Sequence, residues 1–405
     1  MGRRVVRIGR AVAWALALLV LLALGVQLTG HGYLWQALRY TYLDGHRSAH
    51  IDDARNFSQA PIATADRPTA WPVLTPQVPL SDAVRSHLVA QRSAAFVVAH
   101  RGQLVSETYF APYHAHSRTN VFSVTKTLTT LLAGAMVAEG WLASIDEPVL
   151  NWLPELGSDP RGSQATLAQL AAMTSGHAWD ENYYLPLNPT TELYFGGHAA
   201  QTVLHRGFER TPGSAFEYSS ASSQLLGLAL MRVLAAHRPG TSLSDYASRR
   251  LWQPLGMEDD ASWSLDRPRA QGGVELTYCC VHTSARNLAR LGQLMLQRGQ
   301  WAGQVLLPAA FIDRMTTPGA HAAHYGMGVW IDRSYRTPFY FMQGHLGQYV
   351  IVAPSAELVV VRLGQTRERT HRRHPTIDDE VYDYLDEGLR MAAAHGASRG
   401  VPLAK

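Results

Sequence analysis

A serine and a lysine three residues apart, Ser123 and Lys126, open an apolar helical pattern that continues as TLTTLLAGAMVAEG. Positions three apart lie on one face of a helix, so the lysine amine can approach the serine hydroxyl. A serine at its free pKa is a weak nucleophile and needs a neighbouring base, and a helix N-terminus offers N–H groups to a developing oxyanion. The spacing therefore predicts a nucleophilic serine; a serine that only caps the helix is the open alternative.

Two later stretches carry groups that would complete such a site. Tyr218 lies in FEYSS, just before a helical pattern, and a tyrosine near a lysine ammonium can titrate below its free pKa and act as a base. In GHLGQ, Gly347 would let a backbone approach a ligand, and the N–H of Gln348 beside it would be a second oxyanion donor. Taken singly, Tyr218 is more simply a packed aromatic residue, and Gly347 a bulge.

The three motifs S-x-x-K, Y-S-x and H-x-G, in this order, resemble those of the serine β-lactamase and penicillin-binding family. The closer resemblance is to class C-type enzymes and to their esterase and 6-aminohexanoate-dimer hydrolase relatives. Framework phrases between about Pro76 and about Gly364 extend the likeness: LAAMTSG, FEYSSASSQLLG, RRLWQPLGM, HTSARNLARLGQLML, YGMGVW and GHLGQYVIVAP.

The resemblance implies a role for each matching position. Ser123 would be the acylated nucleophile, Lys126 its activating partner and Tyr218 the general base and acid. The oxyanion hole would be formed by the backbone N–H groups of Ser123 and Gln348.

Two departures from the family pattern bear on the substrate. Ser220 replaces the asparagine of Y-x-N, and His345 replaces a lysine that would meet a β-lactam carboxylate, so both argue against a dedicated β-lactamase. By the same resemblance, we expect substrate contacts from His345, Gly347 and a long loop that carries Trp179, Asp180 and Tyr183. That loop points to an amide or ester with an amino group.

Strand patterns at both ends of the chain enclose a largely helical middle. The hairpin AAFVVAH–QLVSETYF turns at Arg101-Gly102, and GMGVWID, FYFMQG, QYVIVAP and ELVVVRLG follow late in the chain. Their β-branched and aromatic residues favour antiparallel strands. We therefore expect an α+β fold: an antiparallel sheet flanked by helices, with an inserted all-helical lobe at about 143–270, preceded by an N-terminal membrane helix. The resemblance makes this fold β-lactamase/transpeptidase-like.

The N-terminus carries four arginines within ten residues, followed by an uninterrupted apolar run at 11–26. This pattern predicts a basic cytoplasmic flank at 1–10 and a transmembrane anchor or signal peptide at 11–29. A juxtamembrane linker at 30–70, a hydrolase domain at 71–390 and a disordered tail at 391–405 would follow. The body would then lie on the periplasmic side of the inner membrane, single-pass if anchored or secreted if cleaved.

Other classes of protein find little support. The net charge of +4 over 405 residues comes partly from the basic flank, and no basic stripe interleaved with aromatics indicates nucleic acid. The adjacent Cys279 and Cys280 are expected to be small buried residues, because neighbours rarely satisfy disulfide geometry. The pairs His114/His116 and His371/His374 lack a metal-binding motif, so no metal or cofactor is predicted. GASRG at 396–400 lacks the strand that a nucleophile elbow requires.

The sequence thus predicts a membrane-anchored, exported serine hydrolase that cleaves a small ester or amide through an acyl-enzyme on Ser123. The alternative is a non-catalytic, membrane-tethered binding protein on the same fold that senses or binds cell-wall peptides. Nothing in the sequence indicates an oligomeric state.

Overall fold

The computed structural model describes residues 2–398. The helices are α1 (Gly2–Leu28), α2 (Tyr33–Tyr40), α3 (Asp82–Ala90), α4 (Val124–Ala138), α5 (Leu167–Ala171), α6 (Pro189–Phe195), α7 (Ala199–Leu204), α8 (Ser220–His237), α9 (Leu243–Ala247), α10 (Ala285–Leu296), α11 (Ala309–Met315) and α12 (Asp379–Ser398). The strands are β1 (Ser58–Ile62), β2 (Ser93–His100), β3 (Gln103–Tyr109), β4 (Thr119–Asn120), β5 (Ala261–Leu265), β6 (Val281–Thr283), β7 (Gln300–Trp301), β8 (Gln304–Val305), β9 (Trp330–Asp332), β10 (Phe339–Gly344), β11 (Gln348–Ala353) and β12 (Leu358–Gly364).

The main sheet has six antiparallel strands in the order β3-β2-β12-β11-β10-β9. Successive side chains of a strand point to opposite faces, and both faces of this sheet are buried. On β2, Val97 packs into the core on one face, while Phe96 and Val98 pack into the core on the other. Helix α10 contacts the sheet and α12 also covers it, so the expected α+β fold with an antiparallel sheet flanked by helices is confirmed.

A second, four-stranded sheet has the order β1-β5-β6-β4. Strand β1 pairs with β5 over five residues, from Ser58↔Leu265 to Ile62↔Ala261. The segment predicted as a linker at 30–70 is therefore part of the folded body, and its hydrogen bonds along β5 are the physical reason. Its composition alone, polar and without a clear period, did not reveal this pairing.

Helix α4 is the central helix of the fold, and every residue from Val124 to Met136 is buried. Lys126 and four threonines of this helix are buried together with its apolar side chains, and α4 packs on α8 and on the main sheet. Gly134 permits a close approach to α11, because a Cβ there would lie 2.5 Å from the Phe311 ring. The same helix therefore supports the sheet and carries Ser123 and Lys126 at its N-terminal end.

The middle of the chain differs in detail from its sequence pattern. Helix α5 is only five residues long, since the chain leaves the helix before Met173, whose φ is +58°. The loop at 178–197 contains α6, which begins with Asn188 as its N-cap and Pro189 at its first position, both common helix-start signals. Helix α12 continues to Ser398, so the tail predicted from 391 is helical to that point; residues 399–405 lie outside the described part.

Helix α1 contains one apolar stretch, Arg7–Leu28, that is long enough to cross a membrane. Its 22 residues span about 33 Å at 1.5 Å per residue, against a hydrocarbon core of about 30 Å. Its large apolar side chains, such as Trp14 and Leu18, are exposed. These properties are those of a membrane span and equally of a signal peptide.

The two cysteines differ from expectation. Cys279 and Cys280 form a disulfide between neighbouring residues, and Cys280 has a φ of +77°. Both are buried, as predicted. The prediction of unpaired thiols was wrong because the backbone at this tight turn brings the two side chains together.

Candidate active site

The Ser123 hydroxyl bonds Lys126 and is not a helix cap. Ser123 immediately precedes α4 and makes no side-chain capping hydrogen bond; instead, its Oγ lies 2.8 Å from the Lys126 Nζ atom. The preceding residue, Phe122, has a φ of +47°, a conformation that non-glycine residues avoid and that often marks functional sites. Asn120 holds this turn by accepting the Phe122 N–H at 2.9 Å, and Asn120 in turn donates to Asp53.

The Lys126 amine is buried among three oxygen atoms. Besides Ser123, it bonds the Ser220 Oγ atom at 3.2 Å and the Tyr278 carbonyl at 2.9 Å. Burial lowers the pKa of Lys126 to about 8, although the negative charge of Glu181 acts in the opposite direction. Because a desolvated ammonium is disfavoured, a substantial fraction of this amine is neutral near pH 8.

Glu181 determines how the hydrogen atoms of this network are arranged. Its carboxylate accepts from the Ser220 Oγ and N atoms at 2.6 and 2.7 Å, from the Trp179 Nε1 atom at 2.8 Å and from the Tyr183 hydroxyl at 2.5 Å. An ionised carboxylate only accepts, so the Ser220 hydroxyl hydrogen points to Glu181. Ser220 must then accept from Lys126.

The same reasoning orients the proton of Ser123. The Tyr278 carbonyl can only accept, so a neutral Lys126 amine uses its two hydrogens on Tyr278 and Ser220. Its lone pair then faces the Ser123 Oγ atom. The arrangement is that of a base aimed at a hydroxyl.

Tyr218 lies beside this pair, but its pKa is shifted in the opposite direction to the one expected. The Lys126 Nζ atom is 5.0 Å from the centre of its ring. Burial, followed by the charge of Glu181, raises the pKa of Tyr218. The direction is opposite to the expected one, because burial and the Glu181 charge outweigh the lowering effects of Ser123 and Arg367 on the pKa of Tyr218; the phenol remains protonated at neutral pH.

The β10–β11 hairpin packs directly against the turn that carries Ser123. A Cβ at Gly344 would lie 2.2 Å from the Val121 carbonyl oxygen, so only glycine allows this approach. Gln348 pairs with Gly344 at the hairpin end. Its buried side chain bonds the backbone of Gly364 and of His345, which leaves the backbone as the part of Gln348 that is offered near the site.

Gly347 serves a different purpose from the expected one. Its φ is +83°, and a Cβ there would lie 2.4 Å from the Arg362 Nη1 atom. Buried Arg362 also donates to the Leu346 and Gly347 carbonyls. The close approach that requires glycine is therefore to a guanidinium inside the protein, and Gly347 is not among the described residues lining the cavity.

His345 is a neutral member of the cavity wall. Burial, and then the charges of Arg367 and Arg369, lower the pKa of its imidazole to about 3. Its ring packs against Phe122 and Tyr183 at 5.4 and 5.3 Å. The position therefore supplies no positive charge for a substrate carboxylate at neutral pH.

Of the three loop residues expected to contact substrate, the structure brings only Tyr183 to the cavity. Trp179 is buried, packs against the Arg206 guanidinium and donates to Glu181. The Asp180 carboxylate accepts from Asn188 at 2.7 Å. Both side chains stabilise the loop, and neither lines the cavity.

A cavity of about 340 Å³ opens beside Ser123. Its walls come from three sources: α2 and the chain that follows it, the segment 183–195, and the turns that carry Ser123, Tyr278 and His345. Apolar side chains dominate the lining, among them Leu34, Leu38, Phe122, Leu185 and Phe195. Within the lining that the structure describes, Arg47 is the sole lysine, arginine or carboxylate.

The histidine pairs noted in the sequence form ordinary contacts. His116 pairs with Asp259, and His371 with Asp378. Asp44, His46 and His50 bring three ligand-type atoms within 4.8 Å of one another. The Asp44 carboxylate, however, already binds Arg55 and His50, which accounts for the cluster without a metal.

Sequence reasoning missed the position of Glu181, the strained Phe122 and the cavity wall formed by α2. Glu181 lies in the long loop that was expected to contact substrate. The sequence did not show that its carboxylate points toward Ser220. Phe122 and α2 had no recognisable signal, because backbone strain and a wall built by a distant segment depend on the folded chain.

Comparisons with known proteins agree with this architecture. The Beta-lactamase family model matches residues 82–382. A 6-aminohexanoate-dimer hydrolase from Paenarthrobacter ureafaciens is 28% identical over 242 residues, which cover 56% of this chain and 58% of that protein, less than two thirds of its length.

Two solved structures show the same fold. A Bacillus anthracis protein provisionally assigned as a 6-aminohexanoate-dimer hydrolase superposes with a TM-score of 0.67 at 20% identity, over 92% of this chain and 95% of its own. A family VIII carboxylesterase gives a TM-score of 0.59 at 16% identity, over 78% and 98% of the two chains.

Proposed function

The chain belongs to the beta-lactamase family of hydrolases, and on that basis we propose that it is a serine hydrolase that cleaves an ester or amide through an acyl-enzyme on Ser123. The observation that carries the proposal is the 2.8 Å contact between the Ser123 Oγ and Lys126 Nζ atoms. It occurs in a network that leaves the lysine lone pair directed at the serine. A site that had lost catalytic activity would have no need to maintain this arrangement.

In the proposed acylation step, neutral Lys126 takes the Ser123 proton as Oγ attacks the substrate carbonyl carbon. The oxyanion that forms would be met by the backbone N–H groups of Ser123 and Gln348. The protonated Tyr218 phenol then donates to the leaving alkoxide or amine as the carbonyl–heteroatom bond breaks. The Lys126 ammonium beside it returns a proton to the tyrosinate.

Deacylation uses the same groups with water as the nucleophile. Water attacks the acyl carbon, gives up a proton to Lys126, and the Ser123 oxygen leaves with a proton as the acid is released. The neutral His345 and the position of Ser220 favour an ester or simple amide over a β-lactam, whose carboxylate would need a cation.

We place the enzyme at the cytoplasmic membrane with its body on the outer side. The apolar length of α1 and the arginines that precede it support this orientation. Cleavage of α1 as a signal peptide would give a periplasmic form of the same enzyme.

The test is a fluorophosphonate probe together with p-nitrophenyl acetate. Wild-type protein should be labelled and should hydrolyse the ester, whereas Ser123→Ala should lose both and Lys126→Ala should lose turnover, with folding checked by circular dichroism. Comparable hydrolysis by either variant contradicts the assignment. Folded wild type that neither labels nor hydrolyses would instead favour a tethered binding protein.

A further inference from the structure

The chain that follows the membrane helix builds a wall of the catalytic cavity. Residues 29–32 connect α1 to α2, and four residues reach at most about 14 Å. Their backbone is also tied by local hydrogen bonds, from the His31 N–H to the Val26 carbonyl and from the Leu34 N–H to the His31 carbonyl. If α1 spans the bilayer, α2 lies at its surface.

Helix α2 contributes both to the cavity wall and to the exposed surface at its edge. Leu34, Ala37, Leu38 and, just after the helix, Tyr42 line the cavity, while Trp35, Leu38 and Tyr42 are exposed. Trp35 and Leu38 are three positions apart and therefore share one face of α2. Tryptophan and tyrosine prefer the membrane interface.

The exposed apolar surface is concentrated at the mouth of the cavity. Of the ten large apolar side chains that are exposed after Leu28 in the described chain, seven lie in two segments. These seven, which we call the apolar rim, are Trp35, Leu38, Tyr42, Leu43, Tyr184, Leu185 and Leu187. The two segments contact each other through the Tyr33 hydroxyl, which donates to the Pro186 carbonyl at 3.2 Å.

Charge near the rim matches a lipid head-group region. Arg39 and Arg47 are exposed next to the rim, and basic residues at a membrane surface attract anionic head groups. Inside the cavity apolar side chains dominate the described lining, Arg47 is its sole lysine, arginine or carboxylate, and His345 is neutral. A polar head outside and an apolar chain inside would satisfy both regions.

We propose that the apolar rim rests on the bilayer surface and that the substrate is a membrane-resident amphiphile whose long acyl chain enters the apolar cavity. This inference rests on the proposed serine hydrolase and its anchor. Ser123 would form a bond to the acyl carbon, the bond to the head-group alcohol or amine would break with a proton from Tyr218, and water would release the fatty acid.

The first measurement uses the full chain in phosphatidylcholine–phosphatidylglycerol nanodiscs and a series of p-nitrophenyl esters. From acetate to hexanoate, each added methylene should raise kcat/KM roughly fourfold, because burial of one methylene contributes about 0.8 kcal/mol. A flat or falling profile overturns the acyl-chain assignment.

The second measurement compares hydrolysis of 1-palmitoylglycerol in the nanodisc with that of p-nitrophenyl acetate. Leu43→Asp/Leu187→Asp, whose side chains are exposed outside the cavity lining, should lower the ratio of the two rates at least tenfold. Val305→Asp, at an equally exposed position on β8, should leave the ratio within twofold of wild type. An unchanged ratio in the rim variant, or an equal loss in the control, overturns the inference.

The two proposals fail in distinguishable ways. Acetate hydrolysis and Ser123 labelling without chain-length or rim dependence would refute the membrane substrate alone. Absence of labelling and of all ester hydrolysis would refute the serine hydrolase and this inference with it.

Discussion

Replacing Glu181 with glutamine tests the proton arrangement of the proposed site. The carboxylate accepts four hydrogen bonds, two of them from rigid donors, the Trp179 Nε1 and Ser220 N atoms. The glutamine oxygen must keep these two donors, so its NH₂ group is turned toward the Tyr183 and Ser220 hydroxyls. Ser220 then accepts from glutamine, and its own hydrogen is redirected to Lys126.

The redirected hydrogen competes with Ser123 for the lone pair of the base. Restoring the productive arrangement would cost about one hydrogen bond, roughly 1–2 kcal/mol, which corresponds to a roughly fivefold to thirtyfold loss in kcat/KM. The variant also removes a negative charge that raises the pKa of Lys126. The acidic limb of the pH–rate profile should therefore move to lower pH while the plateau falls.

The assay is p-nitrophenyl butyrate hydrolysis between pH 6 and 10, with thermal unfolding of each variant. Asp180→Asn is the matched control, because Asp180 lies in the same loop but is directed at Asn188. This variant should keep the acidic limb of the wild-type pH–rate profile. A Glu181→Gln variant with an unshifted limb, or with an activity loss explained by unfolding, would refute the reasoning.

Three further outcomes follow from the same geometry. Wild-type kcat/KM should rise with pH through about 8, because protonated Lys126 lacks the lone pair that Ser123 needs; a profile that falls across this range would contradict a lysine base. Gly344→Ala should destabilise the protein by about 1–3 kcal/mol and reduce turnover, because its Cβ would collide with the Val121 carbonyl; chemical denaturation and kcat measure both effects, and wild-type values would refute the close contact. Gln348→Ala should lower stability by about 1–3 kcal/mol, since its amide is buried and bonded to Gly364, whereas Gln348→Pro should also remove the proposed oxyanion donor and lose turnover even where refolded protein is recovered.

Local patterns in the sequence were sufficient for the first hairpin and for the Ser123–Lys126 pair. The β-branched and aromatic residues of the strands and the glycine turn at Arg101-Gly102 predicted the hairpin, and three-residue spacing placed Lys126 beside Ser123. These features depend on neighbouring residues, so a single sequence contains the relevant information.

Features that depend on distant contacts were not predictable in this way. The pKa of Tyr218 rises because the folded chain buries the phenol near Glu181, and no motif describes that burial. Residues 30–70 looked like a linker because β1 has no core of its own until it pairs with β5. Trp179 and Asp180 lie in the loop that was expected to contact substrate, but their side chains stabilise the loop and do not line the cavity.

Because α2 and β1 belong to the folded body, the first residue of an N-terminally truncated form determines whether the cavity is complete. A soluble form that starts at Thr29 would discard the apolar helix and keep a complete cavity. One that starts at Ala63 would lose both the edge strand and the Leu34 side of the cavity, and Asp53 would no longer brace Asn120 behind the nucleophile. If the shorter form were inactive, the cause would be the lost cavity wall. The result would not show that the complete fold lacks activity.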